Sequence, residues 1–281
     1  MMIAQHPFIP PAGTGDETQT RFGMRYLFSE TGSRALDYAA VGRTLFAFDF
    51  DGTLAPIVPT PEQARLLPGI RESLTALAGS AQVAVISGRD RPSLLSLLPD
   101  GLAYVVGNHG NEGLPHPGFD AERGRAQAHE ICNGWVQQLE ELHGLPDTLP
   151  GMRLEDKALS LSLHYRHAAD PARAESRLRE TALQLDPQPR VIDGLFVLNL
   201  LPPQAQTKRE ALEALLAHSR CSTAIFVGDD VTDELVFENA PPEWLTVHVG
   251  TGEPSHARWF VNDPQEVGSL LQAILARRGA A

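Results

Sequence analysis

Short apolar runs that stop at acidic or glycine-containing turns alternate with stretches of helical spacing along most of the chain. Thr44-Leu45-Phe46-Ala47-Phe48 is such a run and ends at Asp49-Phe50-Asp51-Gly52-Thr53, as a buried parallel strand does when it delivers polar residues at its carboxyl end. Residues 61–78 have helical spacing, 82–86 form a second apolar run that stops at Ser87-Gly88-Arg89, a helix is expected from near Asp90, and 103–106 read as a strand. From Lys208 the alternation returns: a helix to 216, a strand at 223–227, a helix from near Thr232, a strand at 245–249 and a last helix over 264–276. Strand and helix signals in this order predict a parallel sheet covered by helices on both faces.

The middle of the chain has a different rhythm. A long helix is expected over 120–143, and then Leu159, Leu161, Leu163 and Tyr165 alternate with Ser160, Ser162, His164 and Arg166, the pattern of a strand with one wet face. A helix over 171–183 and a further strand over 191–200 complete a small α/β unit with an antiparallel sheet. The expected division is an N-terminal arm over 1–42, rich in proline and polar residues, a core over 43–112 and 204–281, and a cap over 113–203 inserted into it.

Composition narrows the field without deciding it. A chain of 281 residues with 42% hydrophobic side chains can bury a substantial core. Its 23 basic and 35 acidic residues leave −12, which disfavours a general nucleic-acid footprint or an anionic membrane partner and leaves room for a local basic pocket. Cys132 and Cys221 are too few for a disulfide framework. With no basic-then-apolar leader and no long apolar run, a soluble cytoplasmic protein is expected, and a monomer is favoured. Among the aromatics, Phe48 and Phe50 are expected to pack, and Trp135 to anchor the long cap helix.

Candidate chemistry lies at the ends of the apolar runs. Asp49 and Asp51 with Gly52 and Thr53, Ser87-Gly88-Arg89, Lys208, and Gly228-Asp229-Asp230-Val231-Thr232-Asp233-Glu234 are far apart in sequence, yet strand carboxyl ends in an open α/β sheet gather around one ligand site. Five aspartates there require positive charge, and Mg2+ suits all-oxygen ligands while bridging a carboxylate to a phosphate oxygen. Taken singly, Asp90 or Thr232 is explained as a helix cap.

In their order, these four segments resemble the signatures of the haloacid dehalogenase-like (HAD) phosphatase superfamily. Gly107-Asn108-His109-Gly110-Asn111-Glu112, Glu155-Asp156-Lys157 and His164-Tyr165-Arg166 bring the chain closer to the trehalose-6-phosphate phosphatases within it, a resemblance covering about 46–275. It implies a Rossmann-like HAD core with a C2-type cap and a Mg2+-dependent phosphomonoesterase whose partner is a small sugar phosphate. Asp49 would be the nucleophile and Asp51 the acid and base. Asp49, Asp51 (through its carbonyl) and Asp229 would contact the metal, with Asp230 or Asp233 assisting. Thr53, Ser87 and Lys208 would surround the phosphoryl oxygens, and Arg89, His109, Glu112, Glu155, Lys157, His164 and Asn199 would face the substrate. Glu155 and Lys157 also fit an ordinary solvated pair, His109 a turn-stabilising residue, and Arg89 an ion pair with Asp90 or another acid.

Three positions depart from the family pattern. Arg209 follows Lys208 where glycine is usual and adds charge near the expected phosphate well, while Asn199 and Leu201 stand where glutamate and arginine are common. The last two make another sugar phosphate the alternative substrate. A catalytically weak carbohydrate-sensing protein is the reading from a different class.

Overall fold

The computed structural model describes residues 20–58, 60–114, 121–146 and 148–279. The core sheet has eight strands in the order β1-β2-β12-β11-β10-β3-β4-β5. These are β1 (Thr20–Arg21), β2 (Met24–Tyr26), β3 (Thr44–Phe48), β4 (Gln82–Ile86), β5 (Tyr104–Val106), β10 (Thr223–Gly228), β11 (Leu245–Val249) and β12 (Trp259–Val261). All pair in parallel except the edge strand β1. Successive side chains feed opposite faces, as the pleat requires. Phe46 and Phe48 join the cluster under α1 (Glu30–Val41), α2 (Ile70–Ala78), α3 (Arg91–Leu97) and α8 (Pro264–Gly279). Leu45 and Ala47 join the one under α6 (Lys208–Ser219) and α7 (Val231–Phe237).

The cap has its own four-stranded antiparallel sheet, β6-β7-β9-β8, from β6 (Arg153–Asp156), β7 (Leu161–His164), β8 (Arg190–Gly194) and β9 (Val197–Leu201). Leu161, Leu163, Leu198 and Leu200 are fully buried with residues of α4 (Ala121–His143) and α5 (Pro171–Ala182). Trp135 is buried there and donates its indole N–H to the Pro187 carbonyl at 2.7 Å. The alternation in sequence at 159–165 becomes one dry face against helices and one polar face toward the core.

Three expectations are corrected. Residues 20–41 are core rather than arm: β2 pairs with β12, and α1 packs on α8 with Leu36 buried; residues 1–19 of the expected arm lie outside the described residues, as do 115–120 at the expected cap entrance. The stretch 191–200 is a hairpin rather than one strand, because the chain reverses at Leu195-Phe196 and Gly194 pairs with Val197. Residues 61–78 give a single 3-10 turn at Pro61–Gln63 and an α-helix only from Ile70, since Pro68 and Gly69 break the run and Gly69 has φ +79°. The short strands β6 and β12 carry no local pattern that marks them. Among the described residues no helix is long and apolar enough to cross a membrane.

Candidate active site

The carboxyl ends of β3, β4 and β10 bring the separated segments together. After β3 the chain turns at once: the Phe50 carbonyl accepts from Leu54 and Ala55 N–H, both at 2.9 Å. Gly52 has φ +77°, and a Cβ there would meet an Asp229 oxygen at 1.8 Å. That glycine lets the two halves of the core touch. Thr53 Oγ1 completes the contact by donating to Asp229 Oδ1 at 2.9 Å. Its hydroxyl is thus spent on Asp229 in a fully buried position, rather than facing the cleft as the sequence reading expected.

Asp49, Asp229 and Asp233 each present a carboxylate oxygen, all within 4.8 Å of one another. Asp233 is fixed by its helix: its Oδ2 accepts from the N–H groups of Asp229 and Asp230 at 3.1 and 3.0 Å. The Lys208 ammonium stands 2.7 Å from Asp49 Oδ2 and 2.9 Å from Asp233 Oδ1, all three side chains being nearly inaccessible. Burial pushes the Asp49 carboxyl up to about 7, helped by Asp233 and Asp51 and opposed by Lys208. Asp229 and Asp233 are raised as well, again chiefly by burial. Burial alone would lower Lys208, but Asp233 and Asp49 outweigh it and hold the ammonium charged. One lysine among three converging carboxylates, two of them buried, leaves negative charge uncompensated, and the hard oxygen donor set fits a divalent cation. Asp230 caps α7 through Val231 N–H at 2.8 Å, so it stands beside the three converging acids rather than among them. The Asp51 side chain is also outside that group.

Of the acids open to Arg89, its partner is Asp51. Arg89 grips it with both arms, Nε at 2.6 Å and Nη2 at 2.7 Å, with its guanidinium over the Phe50 ring at 5.3 Å. Asp90 instead caps α3 by accepting from Ser93 N–H at 2.9 Å. Ser87 is buried at the end of β4, and its Oγ accepts from Arg89 N–H at 3.3 Å. Arg209 does not line the cleft and pairs with Glu213 one turn along α6 at 2.6 Å, so the cation within the carboxylate cluster is Lys208.

A cleft of about 2330 Å³ separates core and cap, lined by Asp49, Asp51, Ser87 and Lys208 on one side and by Glu155, Lys157, His164 and Asn199 on the other. Register explains the cap side. Glu155 pairs with Ser162, Ser162 with Asn199 and Asn199 with Ile192, so one row crosses the sheet on its polar face. His164 Nε2 is 2.6 Å from Glu155 Oε2; that hydrogen bond is the main cause holding the Glu155 carboxyl down at about 2. Ser162 Oγ donates to Asn199 Oδ1 at 2.7 Å, a neutral pair missed in the sequence because Ser162 has no motif, although its place in the polar alternation marks it. Lys157 donates to the Gly88 carbonyl at 3.2 Å, and burial lowers its pKa. His109 is buried, also lines the cleft, and has neither ring nitrogen hydrogen-bonded. Burial first, then Lys157 and Lys208, push its pKa well down, so the ring is neutral. Glu112 does not line the cleft: it accepts from Arg91 N–H at 2.7 Å and Asn108 Nδ2 at 3.1 Å and so supports the turn.

A model of the trehalose-phosphatase family matches residues 47–265. The chain belongs to the trehalose-phosphatase family. Among curated members, a trehalose-phosphate phosphatase of Mycobacterium avium is 33% identical over 201 residues, 68% of this chain and 50% of that protein. One of Mycobacterium tuberculosis is 32% identical over 236 residues, 81% and 60% respectively. The chain therefore spans about half the length of the curated relatives it matches. The fold is that of the HAD phosphatases: the C-terminal domain of the Candida albicans trehalose-6-phosphate phosphatase superposes with a TM-score of 0.65 at 22% identity, covering 87% of this chain and 96% of that domain. Asp49 and Asp51 on the core side and Glu155, Lys157 and His164 on the cap side line one cleft.

Proposed function

We infer that this member of the family hydrolyses trehalose 6-phosphate to trehalose and inorganic phosphate. The observation that carries the reading is the opposition, across a single cleft, of a buried carboxylate–lysine cluster and a row of hydroxyl-matching side chains. Asp49, with one oxygen fixed by Phe50 N–H at 2.6 Å and the other by Lys208, attacks phosphorus. The bond to the sugar oxygen breaks, and that oxygen takes a proton from Asp51. Water then attacks the aspartyl-phosphate while Asp51 accepts its proton, and Asp49 returns as a carboxylate. Arg89 holds Asp51 in the resting site, so the bidentate pair has to part before proton transfer.

Mg2+ is the cation this donor set suits; Asp49, Asp229 and Asp233 would hold it, with the Asp51 carbonyl as a further oxygen, and it would supply charge opposite the phosphoryl oxygens. Lys208 and Ser87 stabilise the same charge from the protein side. Glu155, His164, Lys157 and His109 would match sugar hydroxyls, and a soluble, cytoplasmic, monomeric enzyme fits this role.

A second reading has its own observation. Asn199 is committed to Ser162, and Leu201 is fully buried in the cap sheet, so the cap lacks two charges usual in the family and another sugar phosphate becomes the alternative substrate. Phosphate release compared across trehalose 6-phosphate, sucrose 6-phosphate and glucose 6-phosphate decides between them. The highest kcat/KM is expected for trehalose 6-phosphate, and a clear preference for either of the others overturns the first reading.

A further inference from the structure

The turn Gly107 to Glu112 supports the phosphate-facing loop along its length. Asn108 N–H donates to the Arg89 carbonyl at 2.7 Å and His109 N–H to the Ser87 carbonyl at 2.9 Å, while Glu112 accepts from Arg91 N–H. The His109 ring lies so close over Gly88 that a Cβ there would sit 2.5 Å from it. Asn108 and His109 have φ of 48° and 58°, left-handed backbone that asparagine and histidine enter more readily than most residues.

The Asn108 side chain, fully buried, leaves the core and enters the cap. Its Oδ1 accepts from Ser160 Oγ at 3.0 Å, and its Nδ2 donates to the Lys157 carbonyl at 3.3 Å and to Glu112. Lys157 reaches back to Gly88 in the opposite direction. Ser160 and Lys157 flank the strands that carry the sugar-facing row. One amide therefore ties the sheet that would meet a sugar to the loop that would meet a phosphate. Such a satisfied buried network is rigid when made and costly to leave half-made, so the two half-sites cannot settle independently.

We propose that Asn108 couples the two half-sites, so that a neutral disaccharide in the cap and inorganic phosphate in the core each bind more tightly in the presence of the other, with no bond joining them. The proposal rests on the reading that the cap receives sugar and the core receives phosphate. Asn108 touches no reacting group; it is a positioning residue.

Calorimetric titration of inorganic phosphate into the Mg2+-loaded full chain, with and without saturating trehalose, tests it. Trehalose is expected to tighten phosphate binding at least about fivefold, the lower end of ordinary coupling between sites. Asn108→Gly, which keeps the left-handed backbone accessible, is expected to abolish that ratio while binding phosphate alone within about twofold of wild type. Ser160→Ala, which leaves the turn untouched and decides the matter if the first variant fails to fold, is expected to remove most of it. A merely structural role would weaken phosphate alone and preserve the ratio. Equal phosphate affinity with and without trehalose in the wild type, or a ratio that survives in the folded variants, overturns the proposal. Cooperative binding without turnover of trehalose 6-phosphate would overturn the catalytic reading alone, and turnover without cooperative binding would overturn the coupling alone.

Discussion

Core and cap face the same cleft but organise their polar residues by opposite means. In the core, charge is concentrated and hidden: Lys208, Asp49 and Asp233 are almost inaccessible and linked at 2.7–2.9 Å. In the cap, polar groups stand in a row on the polar face of a sheet and satisfy one another in pairs, Glu155 with His164 and Ser162 with Asn199. The first arrangement suits chemistry, because low local dielectric amplifies each charge. The second suits recognition, because exchanging one modest hydrogen bond for another costs little.

The largest effect that can break this contrast is at Asp49. Asp49→Asn removes the proposed nucleophile at nearly constant shape and is expected to lower kcat for any phosphate ester by about a thousandfold or more. The melting temperature should hold within a few degrees, because Lys208 keeps Asp233; phosphate release and a thermal melt on the same preparation check both.

Next is metal removal. The raised pKa of Asp49, about 7, with raised values at Asp229 and Asp233, means that the metal-free folded protein retains protons that the unfolded chain, with aspartates near about 3.9, has lost. Metal-free stability is therefore expected to fall as pH rises from about 4 to about 7, and saturating Mg2+ to flatten that fall. Thermal melts across this window with chelator and with Mg2+ give the sign directly; a metal-free melting temperature that climbs with pH contradicts the description of the cluster.

A smaller effect is expected in the cap. Glu155→Ala should reduce kcat/KM on the disaccharide phosphate about tenfold while changing hydrolysis of a small aryl phosphate less than about twofold. Equal losses on both substrates would make Glu155 a support of cap folding. Because its carboxyl is held down at about 2, the stabilisation from its pair with His164 is present above pH of about 4.3 and lost as pH falls toward about 2. The smallest effect is at Arg209. Arg209→Ala removes an outward i,i+4 pair with Glu213 and should alter kcat/KM by less than about twofold, whereas a large loss would place the arginine back at the phosphate.

The core was legible in the sequence because its strands are buried on both faces, read as unbroken apolar runs and stop at the functional residues. The cap was legible only where alternation was clean. The charged strand β6 has no apolar run to mark it, and the β8–β9 reversal is hidden because its two turn residues, Leu195 and Phe196, are themselves apolar. Three-residue β12 gains its place between β11 and β2, and the short β2 from β12, rather than from local pattern. The same reason explains the site. That Asp49 and Lys208 meet follows from strand-end logic, but the Arg89 grip on Asp51 and the Asn108 link to Ser160 join residues 38 and 52 apart, and only the assembled fold specifies those partners.

The clamp at the base of the cap bears on how this architecture varies. Asn111 accepts from Gln206 N–H at 2.7 Å and donates to its carbonyl at 2.9 Å, closing the chain on itself across 95 residues while β3 and β10 pair in the core behind it. Loop-closure entropy rises only logarithmically with length, about 0.6 kcal/mol for each doubling. With its two ends pinned this closely, the inserted unit can lengthen, shrink or be exchanged at small thermodynamic cost to the catalytic sheet, so new substrate preferences can arise without rebuilding the machinery beneath them.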